Sequence, residues 1–198
     1  MPPITNLSQL DLTKTYTYAD YLTWQLDEFV ELIKGKVYQM SPAPRRRHQV
    51  TARNLNTPIA LYLEGKQCEV YFAPFDVRLT TAGPNGDVQI TTVVQPDICV
   101  ICDPAKLDDL GCLGAPDWII EILSPGTAAH DTRDKYDLYQ EAGVSEYWIV
   151  SPLEKYVSVF VLREQKYQLA GEFYAPGPIP TQTLPELEIL WEKVFAGV

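Results

Sequence analysis

No run of about 18 consecutive apolar residues occurs in this chain, so no membrane-spanning helix is indicated. Positive charge is scarce: 16 Lys and Arg stand against 26 Asp and Glu, a formal net charge of -10. That balance argues against a broad, non-specific hold on nucleic acid but leaves room for a local basic surface. The four cysteines among 198 residues do not resemble a disulfide framework. Cys99-Val-Ile-Cys102 invites a zinc reading, yet residues three apart on a strand face opposite ways, and buried apolar-like thiols are the expectation. The first residues lack a basic start followed by an apolar core, so no secretory signal is read there and a cytoplasmic location is expected. Neither a repeat nor a long linker divides the chain. Residues 1–198 therefore read as a single domain, 46% hydrophobic and long enough to bury its own core.

The informative stretch runs from Pro96 to Tyr139, as strand, loop, strand, turn and helix. Each segment carries an ionisable residue where the pattern asks for apolar ones or a plain helix face: Asp97, Glu121 and Lys135. Glu121 stands within Trp118-Ile-Ile-Glu-Ile-Leu123. A period of two puts Ile119, Glu121 and Leu123 on one face and Ile120 and Ile122 on the other, so both faces read as buried. A lone carboxylate there is costly. It needs a cation, an Arg or Lys, or a proton held by a raised pKa. A hard divalent metal shared with Asp97 is one solution, if the two strands are neighbours, and a structural ion pair is another. Ala128 to Ala142 reads as a helix closed by Gly143, with Asp131, Lys135, Leu138, Tyr139 and Ala142 on one face. On that face Asp131 and Lys135 also fit an ordinary helix ion pair. The strand Glu146 to Ser151 follows, and a strand, helix, strand unit favours parallel pairing.

Upstream, residues 17–26 read as a short helix capped by Thr15 or Thr17, and 29–33 with 36–40 as a hairpin turning at Gly35. Glu31 alternates with Phe29 and Ile33, so it too points inward on this pattern. Arg45-Arg-Arg-His48 is the only dense cationic run, a phosphate-facing patch or a solvated loop, ahead of a helix from about Gln49 to Leu63 that Pro58 kinks or starts late. Strands follow at 69–79 and 88–94, split by a turn at 80–86. Further strands cover 156–161 and 165–169, and a last apolar stretch, 184–195, folds back on the body or onto a partner.

Taken together, these residues resemble the Uma2 family of restriction-endonuclease-like proteins, a branch of the PD-(D/E)XK nuclease superfamily. The resemblance rests on Pro96-Asp97, on Pro116-Asp117 through Glu121-Ile-Leu-Ser-Pro125, and on Asp131 with Lys135 and Tyr139. Gly143-Val144, Glu146-Tyr-Trp-Ile-Val150, Glu31-Leu-Ile-Lys-Gly35, Met40-Ser-Pro42 and His48 extend it. It implies an α/β fold of the α+β kind, a mixed β-sheet flanked by helices, with an N-terminal helix and hairpin at 15–42, a nuclease core at 43–165 and C-terminal strands and tail at 166–198. It also implies an endonuclease that hydrolyses DNA phosphodiester bonds with Mg²⁺ or Mn²⁺, or the same fold kept as a non-catalytic binding or assembly module. Asp97 and Glu121 would be the metal ligands and Lys135 the third catalytic residue, with Glu31 and His48 accessory. Glu31 fits a structural ion pair equally, and His48 fits either a phosphate contact or proton relay or a histidine satisfied at a helix start. Two departures stand out: Leu123 occupies the place where the superfamily's lysine usually lies, and Lys36 stands where the family more often has an acid. A homodimer is the expected assembly, with Leu190, Trp191, Val194 and Phe195 as the candidate surface.

Overall fold

The computed structural model describes residues 3–40, 44–82, 88–126 and 130–198. Near the start, Thr17 and Asp20 cap one another reciprocally and begin α1 (Tyr18–Tyr21). The helix is shorter than its sequence pattern, because Tyr16, Tyr21 and Trp24 pack ring against ring instead of forming a helical stripe. β1 (Val30–Ile33) and β2 (Lys36–Gln39) form the expected hairpin. Its central residues, Lys34 and Gly35, both have positive φ (50° and 77°), the turn that matches strand twist. A Cβ at Gly35 would fall 2.1 Å from Thr15 Cγ2, so only glycine fits.

α2 (Arg46–Leu63) starts earlier than its apolar pattern and takes in Arg46, Arg47 and His48. It passes through Pro58 without ending, because Leu55, Ile59 and Leu63 lie on both sides of the proline and all are buried in the core. The strand expected at 69–79 is two strands in two sheets, β3 (Glu69–Phe72) and β4 (Val77–Ala82). Pro74 between them has no N–H to continue a ladder. β4 continues through Thr80–Ala82, where a turn was expected, and residues 83–87 lie outside the described ones. The same is true of 41–43 and of the expected helix start at 128–129.

The remaining strands are β5 (Val88–Val94), β6 (Ile98–Ile101), β7 (Leu107–Asp108), β8 (Gly111–Leu113), β9 (Trp118–Ile122), β10 (Glu146–Ser151), β11 (Tyr156–Arg163) and β12 (Lys166–Phe173). Two mixed six-stranded sheets result, β2-β1-β5-β4-β8-β7 and β12-β11-β10-β9-β6-β3. Between β9 and β10 a π-helical turn at His130–Lys135 leads into α3 (Tyr136–Ala142). The two strands pair in parallel, as a helical crossover requires. Gly143 at φ 87° closes α3.

β9 is buried along its whole length and separates two apolar clusters. Trp118, Ile120 and Ile122 face α2 and the C-terminal segment, while Ile119 faces Val77, Leu79, Cys112 and Leu138. Trp118 meets Trp148 edge to face at 4.8 Å. The C-terminal segment adds β13 (Pro178–Ile179), β14 (Ile189–Leu190) and α4 (Trp191–Val194). Glu146, fully buried, receives the Gln182 and Thr183 amides on Oε2 and the Trp148 indole on Oε1, tying this segment to β10. The tail folds onto the body: Val194 and Phe195 are core residues and Trp191 packs against them. The stretch expected to offer a partner surface is therefore committed within the chain. No helix among the described residues is long and apolar enough to cross a membrane.

The cysteines correct the sequence reading. Cys68 and Cys102, flanking the paired strands β3 and β6, form a disulfide. The register Glu69↔Ile101 brings them opposite one another, across a separation of 34 residues that concealed the pairing in the sequence. Cys99 and Cys112 remain free and buried, as expected of apolar-like thiols. Cys68→Ser should lower the unfolding free energy by roughly 2–4 kcal/mol, measured by denaturant titration, and abolish the sensitivity of the transition to dithiothreitol. An unchanged midpoint would show that the bridge carries no stability.

Candidate active site

The site lies where the chain crosses between the sheets. β5 ends at Val94, Gln95-Pro96-Asp97 makes the crossing, and β6 begins at Ile98. β6 runs antiparallel to β9 with Ile98 opposite Ile120, so the next pair along is Asp97 and Glu121. The neighbouring strands that a shared site requires are thus present. Asp97 Oδ2 accepts the Ile122 amide at 2.7 Å, fixing the carboxylate to the strand that carries Glu121. Glu31 arrives from β1, which pairs with β5, and its Oε1 accepts the Gln95 amide at 2.9 Å.

Lys135 enters on the Glu121 face of β9, the face covered by the first sheet and α3. The segment expected to be regular α-helix opens with the wider π-helical turn, and Lys135 is its last residue. The residue is 4% exposed, and Nζ lies 2.9 Å from both Glu121 Oε1 and Glu31 Oε1. The i,i+4 partner Asp131 is also present, but at 3.9 Å it is the most distant of the three acids. Tyr139, one turn on, donates its hydroxyl to Glu121 Oε1 at 2.7 Å. Tyr139 shares the helical face of Lys135, which is the signal in the sequence; its hydroxyl role was not read from it. Asp131 is itself buried, and its carbonyl accepts the Tyr147 hydroxyl.

Among the described residues of the site the acids outnumber the cations, and the pKa values follow. Burial pushes the Glu121 carboxyl up to about 8; Lys135 opposes this, while Asp131, Asp97 and Glu31 add to it. Burial alone would lower the Lys135 ammonium, but Glu121, Glu31 and Asp131 outweigh it and hold the pKa well above its ordinary value. His48, in the first turn of α2, places Nε2 3.2 Å from Asp97 Oδ2. Burial disfavours its cation, yet the hydrogen bond and charge of Asp97, with Asp131 and the Ile122 backbone, leave its pKa raised. Its Nδ1 is buried with no hydrogen-bond partner among the described residues, so the ring is only half satisfied. Arg45, Arg46 and Arg47 are exposed beside it.

The residues fit a divalent cation. Among the described residues, every hydrogen bond to the Asp97 carboxylate falls on Oδ2 and every one to the Glu121 carboxylate on Oε1, leaving the other oxygen of each without a protein donor there. Among the described residues no group of three or more His, Cys, Asp or Glu is arranged to hold a metal. Two carboxylates are the donor set that Mg²⁺ takes when waters and a phosphate complete its shell.

A mixed sheet with acids on adjacent strands and a lysine delivered by the next helix defines a restriction-endonuclease-like protein. The family model for Uma2, described as "Putative restriction endonuclease", matches residues 18–192, and the chain belongs to that family. A crystal structure titled as a putative nuclease belonging to DUF820, from Anabaena variabilis, superposes with a TM-score of 0.67 at 22% identity, covering 91% of this chain and 98% of that one. That likeness establishes the fold. An uncharacterized protein of Synechocystis sp. is 27% identical over 135 residues, 67% of this chain and 66% of the relative.

The raised Glu121 pKa has a sign that can be tested. A carboxyl held at about 8 in the folded state, against an ordinary 4.5, contributes stability that is complete below 4.5 and is lost as pH rises toward 8. Unfolding free energy in metal-free buffer should therefore slope downward over this window, and Glu121→Gln should flatten the slope. Removing the cation instead, by Lys135→Met, should destabilise the fold by about 3–5 kcal/mol in denaturant titration, because it strands Glu31 and Glu121 in the interior.

Proposed function

We propose that this chain is a metal-dependent endonuclease that hydrolyses phosphodiester bonds of DNA. One observation carries the reading: Lys135 Nζ stands 2.9 Å from Glu121 Oε1, so the ammonium missing from the strand at Leu123 is delivered from the following helix. Asp97 and Glu121 would hold Mg²⁺ or Mn²⁺, which when bound polarises the scissile phosphate and acidifies a coordinated water. Asp97 is oriented by the Ile122 amide and by His48, and Glu121 by Tyr139 and Lys135. Lys135, fixed from behind by Glu31, orients the attacking water or stabilises the charge that grows on phosphorus. The exposed Arg45, Arg46 and Arg47 supply the local cationic surface that the overall charge lacks, where DNA phosphates would lie. A homodimer belongs to this proposal on chemical grounds, since cutting two strands calls for two sites.

A second reading keeps the fold as a binding or assembly module. It is favoured by the closed pairing of Lys135 with Glu31 and Glu121, which satisfies the ammonium without substrate. Incubation with supercoiled plasmid and Mg²⁺ or Mn²⁺ separates the two. The nuclease should nick or linearise the plasmid, and Asp97→Asn and Glu121→Gln should each abolish both cleavage and Mn²⁺ binding by calorimetry. Lys135→Met, where folded, should lower cleavage roughly a hundredfold with Mn²⁺ binding retained. A wild-type chain that binds no metal and leaves plasmid intact is the module.

A further inference from the structure

β3 is the outermost strand of its sheet and pairs, among the described residues, with β6 alone. None of its four residues is buried, and Phe72 is 62% exposed, whereas β6 is buried along its length. Little apolar area therefore holds β3, and a short exposed edge strand opens readily on its own. It is fastened at its two ends. At one end the Cys68–Cys102 disulfide joins it to β6. At the other the Ala73 amide donates to the Asp97 carbonyl at 3.2 Å.

The bridge and Asp97 thus stand at opposite ends of one strand pair, of which β6 is the fixed member. The Cys102 amide donates to Asp117 Oδ2 at 2.7 Å, and the Asp117 amide to the Val100 carbonyl at 2.9 Å, tying that end of β6 to the start of β9. Breaking the bridge leaves Cys102 held and frees Cys68, so the strand that moves is β3. The Gln67 side chain still donates to the Cys102 carbonyl, but it is exposed and water competes for it. Departure of β3 removes the donor on the Asp97 carbonyl, and Asp97 is in turn the acceptor for the Ile122 amide. Both cysteines are half-buried, and Cys68 lines a shallow recess of about 460 Å³ with Leu61, Glu64, Lys66 and Glu69, an approach for a small reductant. Where thiol pools are reducing, bridges are usually transient, and redox sensing is one of their uses.

We propose that the Cys68–Cys102 bridge is a reversible redox clamp whose reduction by a dithiol releases β3 and slackens the backbone that carries Asp97. One thiolate of the dithiol attacks Cys68 Sγ, the S–S bond breaks, and Cys102 leaves as a thiolate. The second thiolate displaces Cys68 from the mixed disulfide. The dithiol ends as a disulfide, and its two electrons and two protons pass to the cysteines. Under the nuclease reading, the oxidised chain is the form with Asp97 set to receive a metal; the clamp itself does not depend on that reading.

Amide hydrogen exchange, resolved by NMR, tests this on the full chain without metal or DNA, before and after dithiothreitol in native buffer. Ala73 reports the hold on the Asp97 backbone and Ile122 the Asp97 carboxylate, while Leu123, whose amide donates to the Val150 carbonyl in β10, reports opening of the core. Reduction should speed exchange at Ala73 and Ile122 by about tenfold or more beyond any change at Leu123, and reoxidation should reverse it. Cys68→Ser should exchange like the reduced chain and ignore dithiothreitol. Three results would overturn the proposal: a bridge that resists dithiothreitol in native buffer, a change at Ala73 without one at Ile122, or equal speeding of all three amides. The last would make the bridge a staple of overall stability alone.

Discussion

Burying the Lys135 ammonium requires partners on more than one side, and Glu31 and Glu121 meet it at equal distances of 2.9 Å. An ammonium taken out of water costs several kcal/mol unless such charges replace its hydration, and a carboxylate in the same place costs a similar amount. Neither Glu121 in the middle of an apolar strand nor Lys135 on a buried helix face is tolerable alone. Glu31 then joins the first sheet to this pair, because its Oε1 also accepts the Gln95 amide at the crossing between the sheets. One small network therefore holds β1, β5, β9 and the helical crossover in register.

The surplus of acid around that network sets its electrostatics. Among the described residues one lysine and one histidine face Asp97 and Glu121, with Glu31 and Asp131 close by, and a proton on Glu121 offsets the surplus of negative charge there. A divalent cation would be another way of offsetting it, and among the described residues one oxygen each of Asp97 and Glu121 is without a protein donor. The surrounding groups limit how these acids can move. Tyr139 and the Ile122 amide each fix one oxygen, and His48 reaches Asp97 from the start of α2, a helix whose buried face packs on the opposite side of the same sheet.

Packing explains why the scaffold can hold such a site rigidly. β9 is covered on both faces, by α2 and the C-terminal segment on one and by the first sheet and α3 on the other. The tail contributes to this cover, since Val194 and Phe195 complete the cluster that includes Trp118 and Trp148, and Glu146 anchors the backbone leading to it. A core closed on both sides leaves the acids few alternative positions.

Local patterns in the sequence determined much of this molecule. The apolar runs around Cys99, Ile120 and Ile149 were long enough to mark buried strands, Gly35 and Gly143 marked a turn and a helix end, and a strand, helix, strand order implied the parallel pair β9 and β10. Glu121 and Lys135 were conspicuous because a charge among apolar neighbours needs a reason. What remained hidden depended on contacts between distant segments. The Cys68–Cys102 bridge follows from the β3 and β6 register, the division of 69–79 from two strands entering different sheets, and the burial of the last apolar stretch from its fit against α2. The same is true of the site, since a spacing of three or four residues can pair Asp131 with Lys135, but only the folded chain brings Glu31, 104 residues away, nearer to that ammonium than its own helical neighbour. Local sequence decides which backbone conformations are cheap, whereas the partner of a buried charge is decided by which segments the core brings together.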